Sequence, residues 1–265
     1  MGERYLQTDK TTDSCFILPV LPHKIGNVRD FWDDVSEKFR EDTEDQLKGV
    51  GIKRMLAFLQ AMPEKGDFLV LFIQSTDDLG KTLQEMFATD DEFSKYLAGQ
   101  FKDFSGVDLS REENLPNVRL LADWKEERPF GEEKNMLLMP WCFAAPLKPG
   151  KADEVVKLVD RLKDMPEAVK LMRDHDIIRS ITYLQRAQQG DFLVRHIVAS
   201  NPLDDLIADF VSCDHETCRK ARDVAKDMTG LDYSDPRYQP HVELLFKWDE
   251  SHGFETADQV IAYTE

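Results

Sequence analysis

Apolar residues recur along this chain at two spacings. Cys15 to Leu21 is a β-rich apolar run closed by Pro22, which predicts a strand. Val28 is followed by Phe31, Trp32, Val35 and Phe39 at +3, +4, +7 and +11, the stripe of a helix that buries one face. Ile52, Arg54, Leu56, Phe58 and Gln60 then alternate with Lys53, Met55, Ala57 and Leu59, a strand pattern. The turn from Pro63 to Gly66 leads into a second strand, Phe68 to Ile73, and so predicts a hairpin. A second helical region spans about Asp77 to Phe104 with a break near Thr89, and Val118 to Trp124 makes a last strand. The order β-α-β-β-α-β is the split, ferredoxin-like arrangement.

This unit is written twice. Cys15, Phe16, Pro19, Pro22 and Lys24 return 127 positions later as Cys142, Phe143, Pro146, Pro149 and Lys151. Leu59-Gln60 recurs as Leu184-Gln185 at an offset of 125, and Gly66-Asp67-Phe68-Leu69-Val70 as Gly190-Asp191-Phe192-Leu193-Val194 at 124. Gly106-Val107-Asp108 matches Gly230-Leu231-Asp232, and Pro116, Val118, Leu120, Leu121 and Trp124 match Pro240, Val242, Leu244, Leu245 and Trp248. The drift from 127 to 124 places a three-residue loss between Lys24 and Gly66, as a shortened helix or loop would give. The expected class is therefore α+β: tandem ferredoxin-like βαββαβ repeats at 14–125 and 136–250, a charged linker at 126–135 and a tail at 251–265. Two such sheets placed face to face would form an intramolecular, pseudo-dimeric α/β barrel.

A ferredoxin-like unit with Pro149-Gly150-Lys151 ahead of an amphipathic helix resembles the dimeric α/β-barrel superfamily, which includes antibiotic-biosynthesis monooxygenases, EthD-like proteins and chlorite dismutases. Gly-Asp-Phe-Leu-Val, followed by Asp90-Asp91-Glu92-Phe93 and Gly106-Val107-Asp108-Leu109, is similar to single-repeat members of that group. The resemblance covers about Cys15 to Glu250 and implies a small-molecule site with monooxygenase- or isomerase-like chemistry that needs no cofactor. It also implies an alternative. His175, at the end of the first helical region of the second half where the first half has Val50, resembles the proximal haem ligand of chlorite dismutases and coproheme decarboxylases.

Composition narrows the field. Against 34 Lys and Arg stand 51 Asp and Glu, a net charge of −17, which argues against nucleic acid as a partner, since phosphate binding needs a basic face. No apolar run reaches the ~20 residues of a membrane span, and Met1 to Ser14 is polar, unlike a signal-peptide core. Four cysteines without a CxxC pair fit a reducing, cytoplasmic setting better than a disulfide scaffold. Cys213, His215 and Cys218 lack zinc spacing, and no nucleotide-loop, zincin or hydrolase-elbow motif is present, so no metal is expected.

The two halves also serve as an internal comparison. Ile17 and Leu18 correspond to Ala144 and Ala145, Phe31 and Trp32 to Leu158 and Val159, and Phe93, Leu97 and Phe101 to Thr217, Ala221 and Ala225. The second half is consistently smaller, which predicts either a pocket bordered by Ala144, Val159, Ala221 and Ala225 or helices drawn closer on their alanines. Leu71 and Phe72 become Arg195 and His196, adjacent strand residues that must point to opposite faces. His196 is the candidate base or hydrogen-bond donor, with a satisfied core histidine as the alternative. Tyr183, matching Phe58, would orient a ligand, and Arg195 would hold an anionic group. The expected partner is a small hydrophobic or aromatic molecule; a non-catalytic, partner-binding role is the third reading. The chain would be a pseudo-twofold monomer or a homo-oligomer.

Overall fold

The computed structural model describes residues 11–62, 65–87, 90–126, 138–162 and 165–254. The first half runs β1 (Thr12–Val20), α1 (Ile25–Glu37), α2 (Arg40–Gly49), β2 (Ile52–Met62), β3 (Gly66–Ser75), α3 (Leu79–Phe87), α4 (Glu92–Ser105) and β4 (Asn117–Lys125). The second half repeats that order as β5 (Met139–Pro146), α5 (Ala152–Leu162), α6 (Pro166–Asp174), β6 (Ile177–Ala187), β7 (Gly190–Ala199), α7 (Leu203–Ser212), α8 (Glu216–Thr229) and β8 (His241–Asp249), with a short β9 (Gly253–Phe254) after it. Each helical region of the sequence is thus two helices. The lost residues fall mainly in the first pair: α5 and α6 have 11 and 9 residues where α1 and α2 have 13 and 10.

The repeated Gly-Val/Leu-Asp has a local cause. Gly106 and Gly230 end α4 and α8 at φ 74° and 81°, the left-handed conformation that stops a helix at low cost only in glycine. Asp108 and Asp232 then accept from the Ser110 and Ser234 hydroxyls and pair with Lys102 and Lys226 in the last turn of each helix.

Strand order shows what the repeat could not. One antiparallel sheet runs β1-β3-β2-β8-β9 and the other β4-β6-β7-β5, so the final strand of each half pairs in the sheet of the other. The sequence units at 14–125 and 136–250 do not each complete a sheet of their own. Arg54 on β2 holds Asp249 on β8, and Arg179 on β6 holds Asp123 on β4, so each exchanged strand is also tied by an ion pair.

Each sheet has helices on one face and the other sheet on its opposite face, which is why the inner strands read as near-continuous apolar runs. Phe16, Leu18, Met55, Ala57, Leu69, Leu71, Phe246 and Trp248 face α1 to α4 in one core. The alternate residues Cys15, Ile17, Leu56, Phe58, Phe68, Val70 and Phe72 meet Cys142, Ala144, Ile181, Tyr183, Phe192 and Val194 in a second core between the sheets. Equivalent residues touch across this layer: Phe68 lies 5.4 Å from Phe192 and Phe72 stacks on His196 at 4.1 Å. Gln60 accepts from the Ala144 N–H and donates to its carbonyl, and Gln185 does the same for Ile17. These two matched glutamines satisfy the free backbone edges of β5 and β1.

One expectation is overturned. Cys213 and Cys218 form a disulfide joining the end of α7 to α8, whereas Cys15 and Cys142 are buried thiols. The sequence reading of four reduced cysteines missed this bridge, because nothing in the spacing shows that the α7–α8 turn brings the two sulfurs together. No helix among the described residues is long and apolar enough to cross a membrane. The linker beyond Glu126 and the tail beyond Phe254, with Val260, Ile261 and Tyr263, lie outside the described residues.

Candidate functional site

The helix-facing sides of the two sheets differ. In the first half, Phe31 (2% exposed), Trp32 (3%), Leu97 (3%) and Phe101 (1%) fill the layer between sheet and helices. What remains there is an apolar cavity of about 10 Å³, bordered by Trp32, Met55, Leu97 and Phe101, with room for no more than about one water. In the second half this layer splits into two small clusters. Leu147, Ala152, Val155 and Leu184 form one, with Val159 and Leu193 against it; Ile197, Ala199, Leu203 and Leu206 form the other, with Phe143 and Trp141 against it.

The corresponding small residues are less enclosed. Leu158, Val159, Ala221 and Ala225 are all partly exposed, although their bulkier counterparts are buried. Ala221 and Ala225 lie on the stripe of α8 that carries the buried Cys218 and the partly buried Met228, so it is the sheet-facing side of the helix that is left accessible. Had the helices packed down on their alanines, those residues would be less exposed than the rings they replace.

Arg195 lies between the two clusters. Strand pairing puts Leu193, Arg195 and Ile197 of β7 on one face with Ser180, Thr182 and Leu184 of β6 and Phe143 of β5. The guanidinium donates from Nη2 to Ser180 Oγ at 2.8 Å, and its Cζ stands 6.0 Å from the Phe143 ring centroid. Its Nε is buried with no hydrogen-bond partner, and no carboxylate among the described residues pairs with it. Burial lowers the Arg195 pKa. Tyr233 comes close enough to feel this charge; burial pushes its phenol up to about 12 even though Arg195 and a hydrogen bond with Thr229 act the other way. Trp124 of β4, directly opposite Ser180 on the same face, is partly exposed, whereas its equivalent Trp248 is completely buried.

Other expected site residues are elsewhere. His196 and Tyr183 point into the core between the sheets, on the opposite side of the sheet from Arg195, so the three candidates do not share one site. His196 stacks on Phe72, and its Nδ1 is 3.2 Å from Cys142 Sγ. Burial, with Arg179 and Arg54 nearby, drives its pKa down to about 3, so it is neutral near pH 7 and a weak base. The expectation of a catalytic base at 196 is therefore corrected: the imidazole replaces a ring in an aromatic stack. The Tyr183 hydroxyl is buried with no partner among the described residues, and burial raises its pKa. Ala144 also belongs to the inter-sheet core, clamped by Gln60, so it does not border the layer that Arg195 faces; its neighbour Ala145 does.

His175 caps α6, half-buried, its backbone N–H directed to the Leu171 and Arg173 carbonyls. Arg173, Asp174 and Asp176 beside it are exposed, and the first two pair with Glu126 and Lys170. A haem ring needs a mostly apolar slot, and this charged rim does not fit one. Among the described residues no three His, Cys, Asp or Glu side chains cluster as a metal site.

Sequence reasoning passed over Ser180, Thr182, Trp124 and Tyr233. The signal was the one that found Arg195: at the established offsets, Met55, Ala57, Leu71 and Leu109 of the first half, all buried, become Ser180, Thr182, Arg195 and Tyr233. Four apolar positions thus turn polar in the second half, and three of them, Ser180, Thr182 and Arg195, share one face of the sheet.

No family model and no curated protein matches the chain. Among solved structures it is similar to an anthrone oxidase-like protein, at 12% identity and a TM-score of 0.47 over 90% of this chain and 94% of that one. It is also similar to two proteins described as "putative monooxygenase". That of Fusobacterium nucleatum subsp. nucleatum is 13% identical, with a TM-score of 0.45 over 92% of this chain and 96% of that one. That of Lactobacillus acidophilus is 10% identical, with a TM-score of 0.43 over 94% and 99%.

Proposed function

We propose that the second half binds a small molecule with an apolar or aromatic body between its sheet and α5 to α8. In this reading the chain is a pair of ferredoxin-like units closed into one α/β barrel, with their last strands exchanged. One unit is packed solid and the other is open. The observation that carries the proposal is the exposure of Val159, Ala221 and Ala225 where their bulkier counterparts are buried. Folded interiors are close-packed, and unfilled space costs stability, so an open layer beside Trp124 and Phe143 is best explained by an occupant.

The arrangement supports binding before it supports turnover. With its phenol near 12, Tyr233 is a hydrogen-bond donor around neutral pH and not a base, and His196 lies on the other face. The test restores the first half's residues in the second, as Ala221→Leu with Ala225→Phe. Small aromatic ligands at a hundred times their dissociation constant should stabilise the wild-type chain by about 2.7 kcal/mol and the filled variant not at all. Equal thermal shifts for both proteins would defeat the proposal.

A further inference from the structure

We infer that the ligand of this layer is an organic anion, a carboxylate or phenolate on a ring, whose acidic group is held by Arg195. The inference rests on the binding reading above and goes further by naming the charge that the ligand carries.

A guanidinium carries five N–H donors. In Arg195, one is directed to Ser180 Oγ, and Nε is enclosed with nothing to accept from it. Of the three other half-buried arginines among the described residues, Arg222 donates to the Phe210 and Cys213 carbonyls, and two are treated differently from Arg195. Arg54 and Arg179, both on strands, each have a carboxylate within about 3 Å, at Asp249 and at Asp123 and Asp13. Arg195 has Ser180 and the Phe143 ring, which are neutral groups that shape a site around a cation without neutralising it. Arg195 is half-buried, and a charge partly withdrawn from water without a counter-ion is costly, a cost that a partner of opposite sign removes. In a chain of net charge −17, with 51 carboxylate side chains, the absence of a carboxylate at Arg195 among the described residues leaves its free donors to another acceptor.

The geometry also specifies the acceptor. The terminal Nη1 and Nη2 of a guanidinium form a fork that matches the two oxygens of a carboxylate. Trp124 and Phe143 on the same face offer flat apolar surface for a ring.

The experiment is calorimetric titration of the full chain with naphthalene-2-carboxylate and with its neutral isostere naphthalene-2-carboxamide, on wild type, Arg195→Gln and Arg195→Lys. The expected result is at least about tenfold tighter binding of the carboxylate by wild type, since a hydrogen-bonded charge pair is worth that much. Arg195→Gln should abolish the preference while binding the amide as before, which also reports that the variant is folded. Arg195→Lys should keep part of it. Equal affinity of the two probes for wild type, or a preference that survives in Arg195→Gln, overturns the inference and leaves the pocket standing. Binding of neither probe overturns the pocket reading and the inference with it. Should Arg195→Gln not fold, the wild-type ratio alone decides.

Discussion

At position 196 an imidazole stands where the first half has Phe72, and the two rings stack on one another between the sheets. Held neutral there, with its pKa at about 3 against an ordinary value near 6.5, this histidine makes the fold sensitive to acid. Between those values the unfolded chain binds a proton that the folded chain does not. The contribution is therefore complete above about pH 6.5 and is lost as pH falls, at about 1.4 kcal/mol per unit once well below it. His196→Phe, which restores the symmetric stack, should remove this dependence. Urea unfolding at pH 7 and pH 5 should show the wild type losing about 2 kcal/mol more than the variant; equal losses would mean that the imidazole is not held neutral by the fold.

Among the elements, β1 and β5 are edge strands, and unpaired strand edges invite aggregation. Here each edge is bound by an amide from the opposite sheet, Gln185 on Ile17 and Gln60 on Ala144, with all four bonds between 2.7 and 2.9 Å. Gln60→Ala would leave a buried N–H and a buried C=O without partners, at a cost of about 2 to 4 kcal/mol. Gln185→Ala should cost a similar amount, because the two sites are near copies. Denaturant midpoints measure both, and a loss under 0.5 kcal/mol for either would show that water replaces the amide. The α7–α8 pair is secured otherwise: the Cys213–Cys218 bridge joins the helices, and Arg222 Nη1 donates to the Phe210 and Cys213 carbonyls at the end of α7. These ties hold α8 in place even though Cys218 is its one buried side chain.

At the scale of the molecule, the exchange of β4 and β8 makes the halves interdependent. A single cooperative unfolding transition is expected, with far-UV circular dichroism and tryptophan fluorescence coinciding, because neither sheet survives the loss of the other half's strand. Residues 11–126 expressed alone should be unfolded or self-associated, and mixing with residues 138–254 should recover the native spectrum. Two separate transitions, or a stable monomeric half, would contradict this account.

The period-2 and helical stripes determined the strands and helical regions, and self-similarity determined that their order recurs, since both follow from local side-chain burial and need no knowledge of partners. Comparing the halves also located Arg195, because loss of an apolar residue at a repeated position is visible without coordinates. Which face each residue takes was legible only as alternation: the sequence said that Arg195 and His196 part company, and the fold decided that Arg195 looks toward the helices and His196 toward the other sheet. Strand exchange, the glutamine clamps and the Cys213–Cys218 bridge belong wholly to the tertiary structure. Each depends on distances between segments far apart in the chain or on the course of a turn, and hydrophobic patterning carries no term for either.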